Sequence, residues 1–174
     1  KCSVSGKARE IVAGQNNFVA KVLRNGTEDK YESENFKNGD DLYLSYQTSA
    51  KGYIAVYLVD DAKNAYCLLP YQSSTDGKVA VDANTKYVFF NQKTAEPLFR
   101  ANEVDEYNMT CEKSSETNYI YIISSPNPFV KAIDNAVAGL PRELKFDDFQ
   151  KWLSKNRTQD KDMQVEIKTI TVQK

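Results

Sequence analysis

The most apolar part of the chain is a segment near its middle, from Gly52 to Pro70. Residues 53–59 are almost wholly apolar and rich in β-branched and aromatic residues, which is typical of a strand buried on both faces. A polar turn at residues 60–64 leads to a second apolar run, residues 65–69, and proline ends that run because it cannot donate to a sheet ladder. Side chains alternate between faces, so one face of the first strand carries Ile54, Val56 and Leu58, and the other carries Tyr53, Ala55, Tyr57 and Val59. We therefore predict a strand in the middle of a sheet, covered on both sides.

Other segments with strand character lie on both sides of this hairpin. Residues 41–48 alternate between apolar and polar side chains, which predicts a strand with one solvent-exposed face. In the last apolar segment of the chain the parity changes from Val165 and Ile167 to Ile170 and Val172, which indicates a bulge or a sheet edge. Further strands are predicted at residues 17–24, 79–81, 87–90, 119–124 and 163–172.

Two short helices are predicted before the final strand, at about 128–138 and 146–156. The first is expected to begin with Asn127 as its cap and Pro128 at its first position. The second has an acidic first turn, which complements the helix dipole, and an apolar stripe. These features are formed by Asp147, Asp148, Phe149, Trp152 and Leu153.

The order of these elements favours an antiparallel sandwich over a doubly wound parallel sheet, because the strands do not alternate regularly with helices. The predicted fold class is mainly β (α+β): a β-sandwich-like core with two short helices before a final strand. Residues 1–15 are interpreted as a tail or edge segment, and residues 16–174 as a single β-rich domain with its helical pair at 126–157.

Composition narrows the function classes. The chain has 174 residues, a net charge of −1 and no histidine. Without histidine, neither a Ser-His-Asp nor a Cys-His centre can form within this chain. No basic cluster indicates nucleic-acid binding, and no apolar run approaches the roughly 20 residues needed to cross a bilayer. We predict no catalytic residue, no metal site and no cofactor.

The three cysteines lie at positions 2, 67 and 111, without the spacing of a metal site. A disulfide between Cys67 and Cys111 is a candidate if the chain is exported, although sequence alone does not establish the pairing. Cys2 is then left over as a free thiol. The chain begins at Lys1, so we expect a mature or trimmed form whose leader is absent.

Tyrosine is the best candidate for ligand contact, because it offers large area with a polar tip. An aromatic platform for a sugar or peptide is one interpretation of these rings, and packing inside the sandwich is the other. The candidates are Tyr43, Tyr53, Tyr57, Tyr119 and Tyr121. The acidic loop Asp60–Asn64 lacks the ligand pattern of an EF-hand and is interpreted as a plain turn.

Several motifs together resemble the bacterial domain-of-unknown-function family DUF4384. They are FKNGDDLYLSY before and within a strand, Gly52-Tyr53 at the start of the central strand, LLP at the end of the hairpin, TNYIYIISSPNPF, and the helix FDDFQKWL. The resemblance covers most of residues 36–160. It implies an appended all-β module on secreted or envelope proteins, and it defines no catalytic or ligand residues.

Three functional hypotheses follow. The first is a non-enzymatic, extracytoplasmic bacterial module, periplasmic, secreted or envelope-associated, that serves a protein or glycan partner. The second is a hydrolase that uses carboxylates alone, which requires two acids facing each other across a cleft. The third is a purely structural envelope module whose edge strand, residues 165–172, pairs with a partner chain.

Overall fold

The computed structural model describes residues 17–74, 76–95, 98–132 and 141–174. The described strands are β1 (Phe18–Arg24), β2 (Asn35–Lys37), β3 (Asp41–Thr48), β4 (Gly52–Val59), β5 (Asn64–Leu69), β6 (Val79–Val81), β7 (Tyr87–Phe89), β8 (Tyr107–Asn108), β9 (Ser115–Ser125), β10 (Glu143–Lys145) and β11 (Gln164–Gln173). One α-helix, α1 (Phe146–Gln159), lies between β10 and β11. Residues 1–15, interpreted above as a tail or edge segment, lie outside the described part.

The strands form two sheets. In the first sheet, β3 pairs with β1 on one side and with β7 and β8 on the other, always antiparallel. The second sheet has the order β10-β5-β4-β9-β11-β2, and β6 pairs with the start of β4. All its pairs are antiparallel except β11 with β2. The predicted antiparallel, β-rich α+β class is confirmed.

The inner faces of the two sheets enclose the larger hydrophobic core. From the first sheet come Phe18, Ala20, Val22, Leu42, Leu44, Tyr46 and Phe89. From the second come Phe36, Ile54, Val56, Leu68, Val79, Ile120, Ile122, Ile170 and Val172. Because side chains alternate between the two faces of each strand, each sheet presents an apolar inner face, and these two faces pack together as a sandwich.

The opposite face of the second sheet packs on α1. Phe149, Trp152 and Leu153 are buried against Ala55, Tyr57 and Val59, so the predicted helical stripe is confirmed. The central strand β4 accordingly contributes alternate residues to two different cores. Its predicted position, in the interior of a sheet with both faces covered, is also confirmed.

The first predicted helix, at about 128–138, is wrong in its described part. Residues 128–132 are not helical, and residues 133–140 lie outside the described residues. Asn127 does not cap a helix, because its side-chain Nδ2 donates to Asp160 Oδ1 at 2.9 Å, in the loop after α1. Phe129 and Ala132 are drawn into the core beneath α1 without helical structure. Tertiary contacts therefore override the local helix signal.

The parity change in the last strand arises because Val165 packs against the helix-side core, whereas Ile170 and Val172 pack in the core between the sheets. The first part of this strand is also a sheet edge, as predicted. β11 pairs with β9 in continuous register from Gln164 to Gln173, so the alternative of a bulge is wrong. On the other side, β2 pairs only with Thr171–Gln173. Ile170 and Val172 face the inner core, whereas Ile167 is 49 % exposed.

In the described part of the chain, no helix is long and apolar enough to cross a membrane.

Candidate functional site: an acidic cleft between the sheets

A cleft of about 540 Å³ opens at the end of the sandwich where the β4–β5 turn lies. We call it the acidic cleft. Its lining comes from both sheets and from the segment between β8 and β9: Leu42, Leu58, Asp60, Asp61, Ala62, Tyr66, Leu68, Tyr107, Asn108, Met109, Thr110, Glu112, Lys113, Glu116 and Asn118.

The buried part of this lining is apolar except for one residue. Leu42, Leu68 and Met109 are each at most 6 % exposed and belong to the inner core. Asn118 is equally buried, at 6 % exposure. We call these four side chains the floor. An apolar floor with one polar group is the usual composition of a small-ligand site.

Asn118 is the unusual member of the floor. It lies on β9 opposite Ile170, on the face that also carries Ile120 and Ile122. Its side-chain amide makes no hydrogen bond with any other residue of the described part. Its amide oxygen and nitrogen reach the solvent of the cleft, since the buried side-chain atoms without a partner in the described part lie on Asn17, Tyr57, Arg142 and Gln164. The amide lines the cleft, where a bound molecule can satisfy it.

Two tyrosines form walls of the cleft, and each is held by its hydroxyl. Tyr66 Oη donates to Asp60 Oδ2 at 3.3 Å, and Tyr107 Oη donates to the Leu68 carbonyl at 3.0 Å. The Tyr107 ring also packs edge-on against Phe90, with 5.2 Å between ring centroids. Both rings are half-buried and fixed in place, so they are preorganised contact surfaces.

Both phenols remain neutral at physiological pH. Burial raises the pKa of Tyr66, and the charges of Asp60 and Glu143 raise it further. Burial also raises the pKa of Tyr107 well above its ordinary value, and the nearby Asp105 carboxylate acts in the same direction.

Charge in the cleft is strongly negative. Lys113 is its single cation, and its Nζ lies 2.9 Å from Asp61 Oδ2; this hydrogen bond raises the pKa of the lysine. The carboxylates are Asp60, Asp61, Glu112 and Glu116, which leaves an excess of three negative charges over Lys113. Beside the cleft, burial raises the pKa of the Cys111 thiol, and the Glu116 carboxylate raises it further. The arrangement therefore attracts cations.

The carboxyl groups with shifted pKa values lie away from the cleft. A general acid that acts near neutral pH needs a carboxyl group with a raised pKa. The carboxyl groups whose pKa is shifted are Asp29, Asp40 and Asp76; all three are lowered, and none lines the cleft. Among the described residues, no three His, Cys, Asp or Glu side chains are placed to hold a metal ion.

The five tyrosines singled out in the sequence do not form one platform. Tyr57 is 1 % exposed under α1, with its ring centroid 4.9 Å from that of Phe149. Tyr121 is 8 % exposed and packs edge-on against the same phenylalanine at 5.1 Å. The packing interpretation is correct for these two rings. Tyr53 and Tyr119 are half-buried on the same helix side, and Tyr43 lies on the first sheet.

The candidate disulfide between Cys67 and Cys111 is not formed in this structure. Cys67 and Cys111 are both free and buried. Cys67 faces the helix side of the second sheet, whereas Cys111 belongs to the core on its other side. Each thiol instead donates to a nearby carbonyl, Cys67 Sγ to Pro70 O at 3.6 Å and Cys111 Sγ to Lys113 O at 3.1 Å.

Sequence reasoning missed the residues that build the cleft. Tyr66, Tyr107 and Glu116 are far apart in sequence, and the fold alone brings them together. The sequence pattern does indicate Asn118. It has the same strand parity as Ile120 and Ile122, so it is a polar residue at a core-facing position.

Comparison with known proteins found no match: not among models of protein families, not among curated proteins and not among solved structures. The resemblance to DUF4384 therefore stays a prediction.

Proposed function

We propose that this protein is a non-enzymatic binding module of the bacterial envelope or extracellular space, and that the acidic cleft is its ligand site. The ligand belongs to a protein or glycan partner. The observation that carries the proposal is Asn118, an unpaired amide that is 6 % exposed and lines an open, charged cleft. A polar side chain at a core-facing strand position is expected where a ligand needs a hydrogen-bonding group.

The competing enzymatic hypothesis, a carboxylate-only glycoside hydrolase, has less support. It needs one carboxylic acid that stays protonated near neutral pH beside a second that is ionised. Asp29, Asp40 and Asp76, whose pKa values are lowered, are therefore not this acid. The proposed extracytoplasmic location of the protein rests on the DUF4384 resemblance. Fractionation of the source bacterium would test it.

The test of the binding function uses Asn118→Leu. Leucine has similar volume and no polar atom, so the variant should keep the fold while losing ligand binding. Glycan and peptide arrays identify ligands for the wild type, and two-dimensional NMR maps the site by shifts of backbone amides. Shift changes confined to another surface, or full binding by Asn118→Leu, would refute the cleft as the site. Release of shortened glycans would support the hydrolase instead.

A second candidate is self-association through the edge of β11. Among the described strands, β9 alone pairs with Gln164–Ile170. If a second copy adds antiparallel with Ile167 at the two-fold axis, Glu166 of each copy lies opposite Lys168 of the other. Cross-strand pairs of opposite charge stabilise such an edge.

Analytical ultracentrifugation tests this pairing. The wild type should dimerise, and Ile167→Lys should be monomeric because like charges meet at the axis. Val19→Lys replaces another exposed apolar residue, 61 % exposed on the first sheet, and should leave the dimer intact. A monomeric wild type at high concentration would refute this candidate.

A further inference from the structure

We infer that the acidic cleft binds an arginine side chain presented by a partner peptide. The inference rests on the proposed binding function and specifies its ligand. Charge is the first reason: the lining carries an excess of three carboxylates over Lys113, and that lysine is already paired with Asp61. An anionic ligand would be repelled, and a neutral sugar would leave these charges unpaired.

The floor supplies the second reason. Leu42, Leu68 and Met109 form a buried apolar surface beneath a charged opening. Arginine and lysine side chains match such a site, because a methylene stem packs on apolar surface while the cationic head stays at the charged groups. A compact cation, such as a metal ion or ammonium, would leave the apolar floor uncovered.

The tyrosines distinguish arginine from lysine. Tyr66 is hydrogen-bonded to Asp60, so an aromatic face and a carboxylate stand side by side in the wall of the cleft. A planar guanidinium stacks on an aromatic ring and also donates in its own plane to carboxylate oxygens. An ammonium group does both less well, since its charge is compact and strongly hydrated.

Asn118 completes the set of acceptors. Its side-chain oxygen is an acceptor in the cleft floor that is open to the solvent of the cleft and has no partner in the described part. A guanidinium has five N–H donors in a planar fork, so it can donate to the Asn118 oxygen as well as to a carboxylate of the wall. The structure therefore assigns Asn118 as the residue that fixes ligand orientation.

The experiment titrates the isotope-labelled protein with capped five-residue peptides and follows amide shifts by NMR, which detects millimolar binding. The peptides carry arginine, lysine or citrulline at the centre, with alanine elsewhere. Citrulline keeps the shape of arginine and lacks the charge. We expect the arginine peptide to shift amides around the cleft, and the citrulline peptide to bind about tenfold more weakly or worse, because charge-assisted hydrogen bonds are about twice as strong as neutral ones. Lysine should fall between them.

Two variants and one control locate the interaction. Glu116→Gln removes a half-buried carboxylate of the cleft wall, and Asn118→Leu removes the amide. Each should weaken arginine binding several-fold. Asp82→Asn removes an exposed carboxylate outside the cleft and should change nothing. Binding to the wild type should also weaken as NaCl is raised from about 20 mM to about 300 mM, because salt screens the charges.

Failure of this inference can be told from failure of the binding function. Equal binding of arginine and citrulline, or equal binding by wild type and Glu116→Gln, overturns the assignment of arginine. A neutral oligosaccharide that shifts the cleft amides while the arginine peptide does not would also overturn it, and would leave the cleft as a binding site. No cleft response to any arrayed ligand would overturn both.

Discussion

Whether the hydroxyl of a buried tyrosine stabilises the fold depends on whether it is hydrogen-bonded, and the two cores contain one example of each case. Tyr46 is fully buried between the sheets, and its Oη lies 2.6 Å from Ser124 Oγ, so it links the first sheet to the second. Tyr57 is equally buried under α1, but its hydroxyl makes no hydrogen bond of good geometry with the residues that the structure describes. Burial raises the pKa of both phenols, so both are neutral when folded.

Substitution by phenylalanine should therefore have opposite effects at these two positions. Tyr46→Phe removes a paired hydroxyl and should lower the free energy of unfolding by about 1 kcal/mol. Tyr57→Phe removes an unpaired one and should leave stability unchanged or raise it by up to about 1 kcal/mol. Urea unfolding followed by fluorescence of the single tryptophan measures both. A loss at Tyr57→Phe as large as at Tyr46→Phe would show that the Tyr57 hydroxyl has a partner.

The Asp40 carboxylate accepts the hydrogen bonds that hold the turn before β3, so the stability of this turn depends on the ionisation of Asp40. Burial alone would raise its pKa, but hydrogen bonds from Asn25, the Lys37 amide and Arg24 outweigh burial and lower the pKa. Because the folded-state pKa lies below the unfolded value of about 3.9, the ionised form stabilises the fold above that pH. This stabilisation is lost as the pH falls through the folded-state pKa.

Asp40→Asn should consequently lower the urea midpoint at pH 7. The difference from wild type should begin to shrink below about pH 4, where the unfolded chain binds the proton, and should vanish once the pH is below the folded-state pKa. Asp29→Asn is the matched control. Asp29 is 45 % exposed, and its ion pairs with Lys21 and Lys86 are screened by solvent, so its effect should be smaller. A difference between Asp40→Asn and wild type that persists at low pH would exclude the charge as its cause.

At the scale of elements, the start of β4 depends on a close approach to the end of β9. A Cβ built on Gly52 would overlap Ser125 O and lie 3.0 Å from the Pro126 Cα, and both are backbone atoms that cannot rotate away. Gly52→Ala should cost about 1–3 kcal/mol, as overpacking usually does. Lys51→Ala, at the exposed neighbouring position, should stay within about 0.5 kcal/mol of wild type in the same urea assay. A neutral Gly52→Ala would show that the two strands can separate.

Elements were predictable from sequence where one local pattern determined them. The central hairpin and α1 each carry a continuous pattern of apolar residues, and burial follows that pattern. The helix prediction for the segment after Ser125 was wrong in its described part because Asn127 and Phe129 contact residues that are distant in sequence. The parallel pairing of β2 with β11 likewise joins segments far apart in the chain, which periodicity cannot reveal.

The candidate site was less predictable than the fold for the same reason. Its walls come from β5, β8 and β9, and no short motif spans them. Aromatic content drew attention to Tyr57 and Tyr121, because sequence alone does not separate a buried ring from an exposed one. Asn118 could have been found by asking which polar residue shares the parity of buried neighbours.

At the scale of the whole molecule, the second sheet is a middle layer that separates two cores. Cys67 and Cys111 lie on its opposite sides, and both are at most 4 % exposed. Burial raises the pKa of the Cys67 thiol to about 11, although the Arg142 charge partly opposes this shift. At pH 8 only about one thiol in a thousand is then ionised, and the thiolate is the reactive form.

Thiol labelling should therefore report global unfolding. In a Cys2→Ser background, an aromatic disulfide reagent at pH 8 should label Cys67 at least about 100-fold more slowly in the native protein than in urea, because access and ionisation both require the layers to separate. Cys111, which is also buried and has a raised pKa, should behave the same way. Dithiothreitol should leave the urea midpoint of this variant unchanged, since no bond joins the two sides of the sheet. A midpoint that falls on reduction, together with an intact mass about 2 Da below that of the dithiol, would show that the layers rearrange enough to pair these cysteines.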